Sequence, residues 1–230
     1  MRILALDTAT EACSAALLVG EELLERYEFA PRRHAALILP MIDAVLAEAG
    51  LRPAQLDALA FGRGPGSFTG VRIAVAITQG IAFALDLPVA PVSTLAAIAS
   101  GVMRRDGVRH VAVAVDARMG EIYWGAYVVS AAGGVALEGD EQVCAPERTP
   151  VLEGHQWLGA GSGWAVYADA LSRRTGAQTW RDDCYPRAGD IARLGALAGG
   201  RGNWVTAEQA LPVYLRDTVV HQAARGGALG

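Results

Sequence analysis

The stretch from Phe61 to Arg72 has the residue types of an anion-binding loop. It holds four glycines and one proline, between an apolar run that ends at Phe61 and a helical pattern that begins near Gly70. Glycine allows close approach to the backbone, and a helix N-terminus carries partial positive charge, so a phosphate or another anion can bind such a turn. A rigid structural turn is the alternative, because this spacing alone is a weak signal. The candidate anion-binding residues of the loop are Gly64, Gly66 and Ser67.

Two aspartates extend this candidate site, because each follows an apolar strand pattern at a turn. They are Asp7 and Asp116. Two opposed carboxylates between two lobes can hold a magnesium phosphate. The alternative is that each aspartate bonds the amides of its own turn. We favour the alternative, because the chain has no lysine and Thr8 supplies the main companion hydroxyl.

The basic residues restrict the chemistry further. All 20 of them are arginine, which excludes a Walker-type lysine, a Schiff base and a lysine general base. The formal net charge of −4 gives no general attraction to nucleic acid. Any contact with RNA would therefore depend on another subunit.

Metal-dependent and serine-hydrolase chemistry both lack their residue patterns. No two histidines have the spacing of three or four residues with which one helix face holds a metal. The four histidines are His34, His110, His155 and His221. We therefore expect neither a metal nor another cofactor. The segment from Gly66 to Gly70 superficially resembles a nucleophile elbow, but its central residue is Phe68 where a serine is required, so a peptidase is not expected.

The apolar periodicities predict an α/β chain in which helices flank mixed sheets. In the first half, strands are expected at 2–7, 13–19, 23–29, 56–61 and 88–92, and helices at about 34–49, 70–85 and 94–105. Ser93 precedes the last of these helices and has the residue type of an N-cap.

The same arrangement recurs in the second half. An apolar strand at 111–115 precedes Asp116 as the first strand precedes Asp7, and 121–129 repeats the hairpin return. A further strand, glycine loop and helix follow between 155 and 174. This correspondence predicts an internal duplication and a two-lobed chain. The predicted parts are a first lobe at 1–106, a second lobe at 107–220 and a flexible tail at 221–230.

The helices of the first half indicate a binding face. Helix 70–85 is apolar nearly all round and must be covered on both sides. A sheet covers one side, and the other needs a neighbouring helix or a second protein, as in an obligate dimer. Burial within the chain itself accounts for the pattern equally well. The predicted interface residues are His34, Leu37, Ile38, Met41, Ile42, Val45, Val71, Ala74, Val75 and Thr78.

Five segments of the chain form a recognisable set. They are 3–10, 34–42, 62–72, 116–123 and 212–216. With them the chain resembles the bacterial TsaB family, also called YeaZ, from residue 1 to about residue 220. The segments Gly-Pro-Gly-Ser-Phe-Thr-Gly and Asp-Ala-Arg-Met-Gly-Glu are specific to that family.

The resemblance implies a two-lobed fold of the actin and sugar-kinase type. It also implies a role in making N6-threonylcarbamoyladenosine beside the anticodon of tRNAs that read codons starting with A. In that family the paralogue TsaD carries out the transfer, with the ATPase TsaE as a third partner. TsaD binds its metal through a His-x-x-x-His pair, which this chain lacks. The resemblance therefore implies a non-catalytic scaffold, a homodimer when alone and a heterodimer with TsaD, which meets tRNA only through the complex.

A second function stays open from the residues alone. An ATP-dependent small-molecule kinase or ATPase of the actin-like superfamily would use Asp7, Asp116 and the two glycine loops as its site.

The sequence also predicts a cytoplasmic protein that does not enter a membrane. No uninterrupted apolar run reaches the length of a membrane span, and residue 1 leads directly into a strand pattern without a signal peptide. The three cysteines are far apart and odd in number, which fits reduced thiols.

Overall fold

The computed structural model describes residues 1–216, which form ten strands and five α-helices. The first half consists of β1 (Arg2–Asp7), β2 (Ala12–Val19), β3 (Glu22–Phe29), α1 (His34–Glu48), β4 (Ala58–Gly62), α2 (Phe68–Leu85), β5 (Val89–Val92) and α3 (Thr94–Asp106). The second half consists of β6 (His110–Arg118), β7 (Glu121–Val129), β8 (Val135–Cys144), β9 (Leu158–Ala160), α4 (Gly163–Thr175), β10 (Thr179–Arg181) and α5 (Ala188–Gly200).

Each half builds a five-stranded mixed sheet, and the two sheets have the same strand order. The first runs β3-β2-β1-β4-β5 and the second β8-β7-β6-β9-β10. In each sheet the hairpin strands pair antiparallel and the crossover strands pair parallel. The predicted duplication and the two-lobed fold of the actin and sugar-kinase type are confirmed.

Helices cover both faces of each sheet, because successive side chains of a strand point to opposite faces. Leu4 and Leu6 of β1 belong to the core under α1 and α2, whereas Ile3 and Ala5 belong to the core under α5. On the second sheet, α3 and α4 cover the two faces in the same way.

Helix α5 lies on the first sheet although it follows the second sheet along the chain. Ala188 N donates to Ser14 Oγ at 2.9 Å. A Cβ on Gly195 would stand 2.8 Å from the Cβ of Ala60. A helix from the range 107–220 therefore completes the first lobe in space, while the division at 106/107 stays a prediction. The predicted tail at 221–230 lies outside the described residues.

Helix α3 begins where the sequence predicts. Ser93 Oγ accepts hydrogen bonds from Leu95 N and Ala96 N at 3.1 and 3.2 Å. The predicted N-cap is therefore confirmed.

Helix α2 is the longest helix of the described chain and is strongly apolar. Among residues 1–216 it alone is long and apolar enough to cross a membrane by length and composition. A third of its residues are buried, and these face the first sheet. Much of an apolar helix therefore lies at the surface.

Candidate functional site

The glycine loop between β4 and α2 packs against the turn that follows β1. Ser67 N donates to Ala9 O at 2.7 Å. A Cβ on Gly66 would stand 2.3 Å from Ala9 O, and a Cβ on Gly70 would stand 2.0 Å from Thr8 O. Glycine is therefore required at 66 and 70 because the chain's own backbone approaches closely.

Gly64 and Ser67 connect the same loop to other elements. Gly64 has a φ of +99°, its carbonyl accepts from Thr94 N at 3.0 Å, and a Cβ there would stand 2.8 Å from Val213 O. Ser67 Oγ accepts from Gly70 N at 3.4 Å and caps α2, which begins two residues before the predicted start. These contacts favour the rigid-turn alternative. Anion binding at Gly64, Gly66 and Ser67 stays a prediction.

Asp7 is fully buried at the end of β1. Its Oδ1 accepts a hydrogen bond from Ala9 N at 3.0 Å, and its Oδ2 has no hydrogen-bond partner among residues 1–216. Burial raises the pKa of this carboxyl to about 7, and the bond from Ala9 N offsets a smaller part of that shift. Asp7 thus bonds the amide of its own turn, as the favoured alternative expects.

Asp116 occupies the related position in the second lobe and is only half-buried. Its Oδ1 accepts from Arg118 N at 2.9 Å, and its Oδ2 accepts from Arg118 Nη1 at 3.0 Å. Its own amide donates to Ser162 Oγ at 3.1 Å, which ties the strand end to the second glycine loop. Asp116 also bonds its own turn.

A cleft of about 530 Å³ opens between elements of the two lobes. Gly66, Ser67 and Asp116 line it, whereas Asp7 and Gly64 do not. The structure therefore separates the five predicted anion-binding residues into a set at the cleft and a set behind it. The other polar or aromatic lining residues include Glu11, Arg32, His34, Phe68, Arg118, Tyr123, Tyr214 and Arg216.

Charged groups that line the cleft form ion pairs with residues of distant segments. Arg118 Nη2 lies 3.1 Å from Glu11 Oε1, so the second lobe is joined to the turn after β1. Arg216 forms an ion pair with Glu121 of β7. Within residues 1–216, no cluster of three or more His, Cys, Asp or Glu side chains could hold a metal ion.

The ten predicted interface residues lie on the inner sides of α1 and α2. Nine are buried and Leu37 is half-buried. Seven of them belong to the core between these helices and the first sheet: Ile38, Met41, Ile42, Val45, Val71, Ala74 and Val75. These side chains pack within the chain, so a partner over this helix pair would meet other residues.

A second apolar stripe on the two helices faces outward. Leu39 of α1 is 51% exposed and Phe83 of α2 is 76% exposed. Ala76, Gly80 and Ala84 are exposed at the spacing of one helical turn. The sequence contains this signal, because 76, 80 and 84 repeat every four residues on the side opposite Ala74 and Thr78.

Sequence comparisons place these features among known proteins. A family model described as "TsaD: tRNA N6-adenosine threonylcarbamoyltransferase" matches residues 26–165. The chain is 42% identical to the "tRNA threonylcarbamoyladenosine biosynthesis protein TsaB" of Escherichia coli (strain K12), over 98% of this chain and 99% of that protein. The protein of the same name from Haemophilus influenzae is 40% identical, over 98% of each chain.

Solved structures from Pseudomonas aeruginosa share the whole architecture. One, described as YeaZ, superposes with a TM-score of 0.89 at 48% identity, over 93% of this chain and 99% of that chain. Another, described as an uncharacterized protein with similarity to peptidase YEAZ, gives the same TM-score and identity over 94% and 99%.

Proposed function

The chain belongs to the TsaB family, and from that membership we propose that it is a subunit required to form N6-threonylcarbamoyladenosine in tRNA. One observation carries the proposal: 42% identity, over 98% of this chain, to a protein named for that biosynthesis. As the family resemblance implies, the substrates are tRNAs that read codons starting with A. We place the protein in the cytoplasm, where those tRNAs are used.

Within this proposal the chain is a scaffold, and the paralogue TsaD carries out the transfer. The sequence supports this assignment because it lacks lysine and has no histidine pair at the spacing of the TsaD metal site. The buried Asp7 supports it too, since an enclosed carboxyl with a raised pKa is a poor ligand for a magnesium phosphate.

The partner face is the outward stripe of α1 and α2. Leu39, Ala76, Gly80 and Phe83 give it an apolar surface with small residues that allow close helix packing. TsaD is the proposed occupant, a second copy of this chain takes its place when TsaD is absent, and TsaE joins as the third component. The net charge of −4 supports contact with tRNA only through the complex.

A nucleotide or another anion at the cleft is the second candidate function. The cleft volume of about 530 Å³ falls in the usual range for small-ligand sites, and Gly66, Ser67 and Asp116 line it. Isothermal titration of the purified chain with Mg-ATP tests it. Micromolar binding supports an ATP-dependent kinase or ATPase, and the absence of heat removes that candidate.

Reconstitution tests the main proposal. TsaD, TsaE, ATP and the remaining precursors are incubated with unmodified tRNA, with and without this chain, and modified adenosine is measured by mass spectrometry. We expect modification only when the chain is present. Equal yields in both reactions would overturn the proposed role.

A further inference from the structure

A short segment after α5 joins the two lobes along the cleft. It consists of residues 212–216, which we call the strap. Its backbone is fixed to the glycine loop, because Val213 N donates to Arg63 O at 2.8 Å and Val213 O packs against Gly64. The strap, Arg118 and Glu121 all lie in segments that carry the resemblance to the TsaB family. The sequence alone does not explain why these residue types occur there.

The first-lobe end of the strap is held by the first turn of α2. Tyr214 lies 5.6 Å from Phe68 between ring centroids, and Arg72 stacks on Phe68 at 3.6 Å. Arg72 Nε donates to Tyr214 OH at 2.9 Å. Phe68 and Tyr214 remain 56% and 41% exposed, so this junction belongs to the surface of α2.

The second-lobe end of the strap is held by the hairpin between β6 and β7. Arg216 forms an ion pair with Glu121 and donates to Arg118 O at 3.5 Å. Its guanidinium also lies 4.0 Å from Met119 Sδ. A single side chain therefore contacts three residues of the hairpin, at positions 118, 119 and 121.

The hairpin tip needs such support because its backbone is strained. Arg118, Met119 and Gly120 have φ values of 64°, 58° and 76°, and left-handed conformations of non-glycine residues persist only where the surroundings enforce them. The Arg118 side chain bonds both Asp116 and Glu11. The tip is thus fixed from the strap and from the first lobe at once.

We propose that the strap couples the arrangement of the lobes at the cleft to the partner face on α2, with Arg216 as its positioning residue. This inference rests on the proposed function. The hairpin tip, Arg216, Tyr214 and the first turn of α2 form one continuous set of contacts. Phe68 and Arg72 of that turn precede Ala76 and Gly80 of the partner face at four-residue spacing on the same exposed side of α2. Coupling between two sites is reciprocal, so partner binding to α2 stabilises the hairpin tip, and loss of the Arg216 contacts weakens partner binding.

Variants of Arg216 test whether loss of its contacts weakens partner binding. We expect Arg216→Gln to weaken TsaD binding, measured by biolayer interferometry, by roughly 5- to 10-fold, and to accelerate hydrogen exchange at 116–121. Arg216→Lys keeps the charge beside Glu121 and should restore most of the affinity. Arg181→Gln is the matched control, because it removes an ion pair with Asp106 outside the strap and should bind as the unmodified chain does.

Hydrogen exchange of the unmodified chain tests whether partner binding stabilises the hairpin tip. This experiment does not require any variant to fold. Saturating TsaD should slow exchange at 116–121. If saturating TsaD left exchange at 116–121 unchanged, the proposed coupling would be overturned. It would also be overturned if Arg216→Gln accelerated exchange in the hairpin but bound TsaD with unchanged affinity. Failure of the unmodified chain to bind TsaD at all would instead contradict the proposed function.

Discussion

Gly62 and Asp7 share one small space at the ends of neighbouring strands: a Cβ on Gly62 would stand 1.8 Å from Asp7 Oδ2. The two strands β1 and β4 are parallel, so their carboxyl ends meet at the same edge of the sheet. Ile191 of α5 closes the space, 3.4 Å from the same Cβ position. The carboxyl is therefore enclosed by the chain and does not reach the cleft.

Replacing Gly62 should destabilise the protein through this contact. In Gly62→Ala the new methyl group must displace a buried carboxyl, so we expect the free energy of unfolding to fall by about 1–3 kcal/mol, measured by urea denaturation. Gly80→Ala is the matched control, because a Cβ there meets nothing within 4 Å. It should leave stability unchanged or raise it by up to ~1 kcal/mol. Equal effects of the two substitutions would contradict the proposed contact.

The raised pKa of Asp7 predicts a dependence of stability on pH. The folded state keeps the proton up to about pH 7, whereas the unfolded chain releases it near the ordinary value of 3.8. The contribution of Asp7 to stability is therefore complete below pH 4 and is lost as the pH rises from about 4 to about 7. Each unit of pKa shift corresponds to ~1.4 kcal/mol.

Asp7→Asn isolates this contribution, because the amide does not titrate. We expect the stability of the variant relative to the unmodified chain to increase as the pH rises from 4 to 7 and to stay constant above. Urea denaturation at a series of pH values measures that difference. A difference independent of pH would show that Asp7 titrates normally in the folded protein.

Local patterns predict the elements well, because they report local preferences. The periodicity gives β1 and β7 their observed bounds, and Ser93 caps α3 as its residue type indicates. Contacts between segments that are distant in the sequence cannot be predicted from local patterns. The enclosure of Asp7 depends on a parallel pairing with β4, and the apolar stripe of α5 does not indicate which of two sheets it covers.

The sequence also does not identify which side of α2 is the binding face. Because α2 is apolar on nearly every side, its periodicity cannot decide which stripe faces the sheet. Ala74 and Ala76 are equivalent in the sequence pattern, yet only Ala76 is exposed. The predicted interface positions therefore fall on the inner stripe.

Arginine at position 76 and arginine at position 74 should affect the protein in different ways. We expect Ala76→Arg to keep the fold and to weaken the complex with TsaD by roughly 30-fold or more, seen as loss of the heterodimer on size-exclusion chromatography. Ala74→Arg forces a charge into the core and should fail to fold. Ala165→Arg, on the exposed side of α4, is the control and should bind normally. An intact heterodimer with Ala76→Arg would exclude this face.

The docking of α5 depends on a cap supplied by β2 of the first sheet, which lies far from α5 along the chain. Arg187, which precedes the helix, makes no side-chain capping bond, and Ser14 of β2 accepts the first amide instead. Ser14→Ala leaves a buried N–H without its acceptor and should lower the free energy of unfolding by about 1–3 kcal/mol, with faster hydrogen exchange in α5. Ser172→Ala on α4 removes a half-buried hydroxyl and serves as the control. If both variants unfold at the same urea concentration as the unmodified chain, the cap contributes nothing to the attachment of α5.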